Sequence, residues 1–192
     1  MSPDITYAIR INSEIREVVH ASKQINYIAL NALLASRKAG ERALGFAVVA
    51  RQLRMLTHDL EQSMELLDGV IYGLTSTIAS QIRDGRLLEN AHAAVSACAR
   101  PPACAVRMEN GLRQRTLRWQ AKAEQGWGEF ALHYKRACRH AEIGQVLSRN
   151  ARVEAAHGGS MSGLLGQVAE QMEQSAGDVC ARLRRLRALI ES

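Results

Sequence analysis

Histidine and cysteine are the side chains best suited to ligate a metal, and one stretch gathers several of them. His133 and His140 stand seven residues apart, on one face of a helix, with Cys138 and Glu142 close by. A second helix would have to supply the remaining ligands of a metal or haem site. No compact ligand motif of the HExxH or CxxC kind accompanies them, so packing or surface roles are the simpler reading and no metal or cofactor is expected. Cys98 and Cys104 flank Pro101-Pro102 and could meet each other or join Cys138 and Cys180 in a redox or metal role. Free cysteines commonly serve as small buried apolar residues instead. Trp119 and Trp127 accompany Arg113, Arg115, Arg118 and Lys122, a mixture able to stack on bases and touch phosphates. At helical spacing the two tryptophans read as core or interface anchors, and nucleic-acid binding is not expected. No nucleophile, base and orienting group fall together and no phosphate loop is present, so the chain is not expected to be an enzyme.

The elements that carry these residues are helical. Apolar residues make up 47 % of the 192 residues but aromatic ones only 4 %. A core built largely of Ala and Leu has thin, even layers, which suits helices lying side by side better than a sheet sandwich. The only prolines are Pro3, Pro101 and Pro102, which leaves two long stretches for uninterrupted helices. From Asp4 to Ser36 an apolar or small residue recurs in fours and threes: Ala8, Ile11, Ile15, Val18, Ser22, Ile25, Ala29, Ala32, Ser36. That alternation keeps one seam against a neighbouring helix over many turns.

The pattern breaks between Gly40 and Gly45 and resumes as Val49, Leu53, Leu56, Leu60, Ser63, Leu67, Val70, Leu74, Thr77. Two long apolar seams joined by a short connection fold back and bury each other. The second helix is predicted to reach about Ala99, with Gly69, Gly73 and Asp84-Gly85 as candidate bends or breaks and Asp84-Gly85 the weakest. A third is predicted from Pro102 to about Ala156, open to interruption at Gly126-Trp127-Gly128, with Leu112, Trp119, Phe130, Leu132, Tyr134, Ile143, Val146 and Leu147 among its apolar residues. After a turn at His157-Gly158-Gly159-Ser160, a fourth carries Leu164, Leu165, Val168, Met172, Val179, Leu183 and Leu186.

Residues 26–56, NYIALNALLASRKAGERALGFAVVARQLRML, resemble the hairpin tip of the cytoplasmic signalling domain of bacterial methyl-accepting chemotaxis receptors. Ile28 to Ala32 match the first part, Ala39, Gly40 and Glu41 the turn, and Gly45 to Ala50 the start of the returning helix, with Arg54 and Leu56 beyond. The resemblance implies a tip that docks a histidine kinase and its coupling protein. It places Phe46, Val48 and Val49 at the coupling-protein contact, and Asn31, Lys38 and Glu41 in the tip. Four departures stand out. The family's glutamate one turn before the hairpin is Ala35, and its arginine is Lys38, which loses the planar fork. Its glycine-arginine pair is Ala43-Leu44, and its Asp-Glu pair is Arg51-Gln52. The last exchange changes local charge by about three units, which weakens or redirects a charge-matched contact.

The fold expected is all-α, a long antiparallel helical hairpin within a four-helix bundle or coiled-coil-like assembly. Residues 4–99 form the receptor-like hairpin, and 103–192 a basic helical pair that completes the bundle or acts as an input module. The far side of the hairpin's seams must be covered by those later helices or by a second copy, and the family precedent favours a homodimer. Residues 101–192 hold 14 Lys/Arg against 9 Asp/Glu, whereas 1–100 hold 11 against 10, so an acidic partner or nucleic acid would touch the second half, although ordinary solvation is the commoner explanation of so mild an excess. No run of 18 or more uncharged apolar residues and no basic-then-apolar leader occurs, so the chain is expected to be cytoplasmic with reduced thiols. The expected function is receptor-like signal transduction through protein contacts at the tip. The alternatives are a helical metal, haem or redox sensor with a relic tip, and a structural helical-bundle adapter.

Overall fold

The computed structural model describes residues 5–191, with side chains described from 9 to 190. The expectations for Asp4 as a helix start, for the side chain of Ala8 in the seam and for Ser192 fall outside the described residues. The chain forms α1 (Ile5–Ala39), α2 (Leu44–Ser96), α3 (Ala103–Ala156) and α4 (Ser162–Glu191), with 3-10 turns at Gly40–Ala43 and Gly159–Met161. No strand occurs among the described residues, and the all-α expectation holds.

Both glycine-bearing turns fall where the seams break. Gly40 takes φ +74° and Gly159 φ +60°, left-handed values that a Cβ would strain. Arg37 and Lys38 occupy the last turn of α1, where their charge suits the negative end of the helix dipole. Pro101-Pro102 ends the run of α2, and the Pro102 carbonyl accepts the N–H groups of Ala105 (2.9 Å) and Val106 (3.3 Å) to start α3.

None of the candidate interior breaks, at Gly69, Gly73, Asp84-Gly85 or Gly126-Trp127-Gly128, interrupts a helix: α2 and α3 run through them. A helical glycine costs about 1 kcal/mol relative to alanine, and at Asp84 side-chain pairing offsets that cost. Asp84 is fully buried and accepts hydrogen bonds from Arg115 Nη2 (3.0 Å) and Trp119 Nε1 (2.8 Å) across the helix pair.

The described residues divide into two compact units, residues 9–68 with 132–191, and 69–131 with 5–8. The first is a four-helix unit. Every described member of the α1 seam, from Ile11 to Ser36, is buried, and so are Val49, Leu53, Leu60, Ser63 and Leu67 of α2. Polar contacts join α1 to α2, α3 to α4 and α4 to α1: Ser22 Oγ donates to the Thr57 carbonyl (3.2 Å), Tyr134 Oη to the Leu183 carbonyl (3.0 Å), and Arg182 meets Glu17 at 2.7 Å. All four helices also line one void of about 10 Å³, with Ile25 from α1, Leu53 and Leu56 from α2, Gly144 from α3 and Val179 from α4. The far side of the hairpin seams is thus covered within this chain, by the end of α3 and by α4.

The seam of α3 in this unit differs from its predicted apolar face. Ala137, Ala141, Gly144, Ser148, Ala151 and Ala155 are buried, while Leu132, Ile143 and Val146 are exposed. Small residues let neighbouring backbones come close, and large ones at those positions would hold them apart.

The second unit pairs α2 from Gly69 with α3 up to Ala131. Its seam buries Leu74, Thr77, Asp84 and Ala91 of α2 and Glu109, Leu112 and Phe130 of α3. His92 Nδ1 lies 2.8 Å from the Glu109 carboxylate, and Arg113 reaches the same oxygen at 3.4 Å. Trp127 packs edge-on to Phe130 with ring centroids 5.9 Å apart.

Candidate functional site

The receptor-like residues surround the turn between α1 and α2, at one end of the four-helix unit. That turn abuts the turn between α3 and α4. A methyl group on Gly159 would stand 3.2 Å from Cδ and Nη1 of Arg42, so the arginine lies against the second turn. Glu154 reciprocates from α3: its carboxylate rests on Gly45 so closely that any Cβ there would displace it. Gly45 is the second residue of α2, and a carboxylate near a helix N-terminus is stabilised by the positive end of the dipole. The two turn glycines therefore do different work. Gly40 has open space around it and is required for its backbone angle, whereas Gly45 makes room for Glu154.

The six residues assigned to the tip divide by exposure. Asn31, Lys38 and Glu41 are exposed, and Val48 is 52 % exposed. Phe46 is fully buried and Val49 is 9 % exposed, so both belong to the core beneath the tip. Val48 shares the outward face of α2 with Leu44 and Met55, which are 64 % and 65 % exposed, and with Arg51. Their spacing of four, three and four places them on one stripe. Asn31 and Lys38 likewise share the outward face of α1 with Tyr27 and Leu34. The surface so formed offers isolated apolar side chains among Arg37, Lys38, Arg42, Arg51 and Arg54, a composition suited to protein contact.

The histidine and cysteine candidates are not gathered into a ligand set. No group of three or more His, Cys, Asp or Glu side chains able to hold a metal ion occurs among the described residues. His140 lines the small void of the four-helix unit, and its Nδ1 and that of His133 are buried without a hydrogen-bond partner. Burial pushes the Cys138 thiol above the ordinary thiol range, and the same cause raises Cys180. Cys98 and Cys104 are exposed, and all four cysteines are free thiols. Trp119 is held by Asp84 and carries Lys122 Nζ 5.7 Å from its ring centroid, while Arg115 is committed to Asp84. Two of the side chains considered for nucleic acid are thus spent inside the protein.

Sequence reasoning passed over three features: the Asp84 pairing, the glutamate over Gly45 and the arginine over Gly159. The first had a visible signal. Asp84 falls seven residues after Thr77 in the same seam, and a carboxylate in a buried seam requires partners. The other two join distant segments and leave no local trace.

No helix among the described residues is long and apolar enough to cross a membrane. No family model matches the chain. Among curated proteins, it is similar to the methyl-accepting chemotaxis protein McpQ of Pseudomonas putida, 36 % identical over 86 residues, which are 43 % of this chain and 14 % of that one. The methyl-accepting chemotaxis protein TlpQ of Pseudomonas aeruginosa is 44 % identical over 59 residues, 30 % of this chain and 8 % of its own. The toxin coregulated pilus biosynthesis protein I of Vibrio cholerae is 38 % identical over 73 residues, 36 % of this chain and 12 % of its own. The chain thus spans at most 14 % of the length of these three relatives. Within that span, it carries a helical segment of the methyl-accepting chemotaxis protein kind.

Proposed function

We infer that this chain is a cytoplasmic, receptor-like signal transduction protein that acts by protein contact at the turn between α1 and α2, without catalysing a reaction. The observation that carries the reading is the receptor-like run through Gly40 and Gly45, set at the end of a four-helix unit with Asn31, Lys38, Glu41 and Val48 exposed beside the turn. Asn31, Lys38, Glu41 and Val48 make the contact, while Phe46 and Val49 hold its shape from beneath. The partners are a chemotaxis histidine kinase and its coupling protein, and the chain works as a homodimer. Residues 4–99 present the tip and 103–192 control it, since the latter part of α3 and α4 cover the seams that set the tip's geometry.

A pull-down with purified coupling protein and kinase tests this. Val48→Asp is the informative variant, because Val48 is half-exposed and its loss leaves the core intact. Binding by the parent and its loss in Val48→Asp are expected. A parent that binds neither protein would leave a structural helical-bundle adapter as the better reading.

A further inference from the structure

Within the four-helix unit, α3 carries a second seam on the side turned away from its neighbours. Leu132, Arg136, Arg139, Ile143, Val146, Asn150 and Val153 follow one another at intervals of four and three, and all are exposed. By helical geometry this stripe lies about 150° around α3 from the buried seam of Ala137, Ala141, Gly144, Ser148 and Ala151. The inner seam is small and lets helices approach. The outer one holds large aliphatic side chains, Leu132, Ile143, Val146 and Val153, which are 50 %, 43 %, 55 % and 61 % exposed. Single exposed apolar residues are ordinary, but sustained heptad spacing is the pattern of a seam that receives another helix. Charge on this side is as uneven as hydrophobicity. Between 132 and 153 there are five Lys/Arg and one acid, Glu142. Arg149 and Arg152 meet Glu173 of α4, whereas Lys135, Arg136 and Arg139 make no ion pair among the described residues.

We propose that this outer stripe docks one amphipathic helix of a partner protein, whose apolar seam covers Ile143, Val146 and Val153 and whose carboxylates face Arg136 and Arg139. Three features select that occupant. The stripe contains no Asp or Glu, so a second copy laid on it brings its arginines no carboxylate. It is narrow, two residues per heptad, and includes Asn150, which fixes register in a helix pair; a lipid surface takes a wider apolar face. Its apolar members are aliphatic, so they offer no platform on which nucleic-acid bases could stack. The stripe runs about 32 Å along α3, which sets the partner segment at about three heptads. The opposite side of α3 packs on the receptor-like hairpin, so a helix bound here bears on the element that covers the hairpin's seams. That last step rests on the tip reading above, whereas the docking itself does not.

The probe is a dilute, fluorescently labelled helical peptide of about four heptads, with Leu along its seam and Glu beside it, and a twin carrying Lys in place of Glu. Both are titrated with the full chain and followed by anisotropy. The acidic peptide is expected to bind with a Kd of about 1–10 µM and the basic twin roughly tenfold more weakly or worse. Val146→Asp should weaken the acidic peptide roughly tenfold, while Lys23→Glu, at an exposed cation of α1, should leave it unchanged. Arg136→Glu with Arg139→Glu should reverse the preference, so that the basic twin binds and the acidic peptide does not, a swap that misfolding could not produce. Failure of the acidic peptide to bind, equal binding of the twins, or indifference to Val146→Asp and to the double exchange overturns the proposal. Binding to phosphatidylglycerol vesicles that Val146→Asp abolishes would assign the stripe to a lipid surface instead, and self-association abolished by the same variant would assign it to a second copy; either result overturns the acidic-helix occupant. None of these measurements involves the turn between α1 and α2, so their failure is distinguishable from failure of the coupling-protein pull-down.

Discussion

Gly144 tests whether α3 really covers the receptor-like hairpin. It is buried in the small-residue seam of α3, and a Cβ on it would stand 3.4 Å from Leu56 Cδ2 and 3.8 Å from Leu53 Cδ1, ordinary packing distances. Alanine there removes the glycine penalty of about 1 kcal/mol in a helix interior. The added methyl is buried against two leucines and contributes a further few tenths to about 0.8 kcal/mol. Gly144→Ala is therefore expected to stabilise the protein by about 1.3–1.8 kcal/mol, a Tm increase of roughly 3–7 °C for a chain of this size. Leucine has the opposite sign. The adjacent void holds only about 10 Å³, so its three extra carbons must push Leu53 and Leu56 aside, at a cost of about 1–3 kcal/mol for overpacking. Gly128 is the reference, since nothing lies within 4 Å of its missing Cβ and it is exposed. Urea titrations followed by far-UV circular dichroism, all at one protein concentration because association shifts apparent stability, give the four values. A stabilising Gly144→Leu, or one no worse than Gly128→Leu, would refute the packing of α3 on α2.

Other perturbations follow from burial and pairing. Phe46→Ala is expected to lose about 3–5 kcal/mol of stability, the range for emptying a buried aromatic site, whereas Val48→Asp should change the unfolding midpoint little; equal effects would contradict their placement. Asp84→Leu removes the shared acceptor of Arg115 and Trp119 and should cost about 1–3 kcal/mol, toward the lower end because the Arg115 side chain is 53 % exposed and can return to water. Thiol labelling at neutral pH should consume Cys98 and Cys104 first. Cys138 and Cys180 lag because burial raises both above the ordinary thiol value of 9.0. A raised folded-state value means the folded protein holds those protons longer than the unfolded chain. Their contribution is therefore complete below about pH 9 and is lost as pH rises beyond it. Stability that increased with pH in that window through Cys138 or Cys180, removed by Cys→Ser exchange, would contradict the sign.

The seams of α1 and α2 were legible because their apolar residues are large and evenly spaced, and the turn was legible from Gly40 and Gly45. The seam of α3 was not. Its buried residues are alanine, glycine and serine, whose weak hydrophobic signal is outweighed by Ile143 and Val146 on the outer face. Periodicity weighted by hydrophobicity selects the larger side chains, while close approach of helices selects the smaller ones. The glycines inside α2 and α3 misled for a related reason: propensity is local, and contacts such as Asp84 with Trp119 outweigh it. At the tip, the motif identified the right segment but could not separate Phe46, which faces the core, from Val48, which faces out.

The charge exchange at Arg51-Gln52 offers the sharpest test of the docking reading. Both residues are exposed, and neither has a salt bridge among the described residues. Restoring the acids of the receptor tip as Arg51→Asp with Gln52→Glu should therefore leave stability within about 0.5 kcal/mol of the parent. It changes the local charge by about three units next to Val48. A contact matched to the receptor's acids gains chiefly in association rate, and rim charges act through rate and salt dependence. Affinity for the coupling protein is then expected to rise roughly tenfold at low ionic strength, equivalent to about 1.4 kcal/mol, and the gain should shrink once the screening length falls below about 10 Å. Surface plasmon resonance at two salt concentrations reads both quantities. If the acidic pair instead weakened binding, the basic tip would be matched to a different, acidic surface. If it had no effect at either salt concentration, the stripe bearing Val48 and Arg51 would not be the docking face.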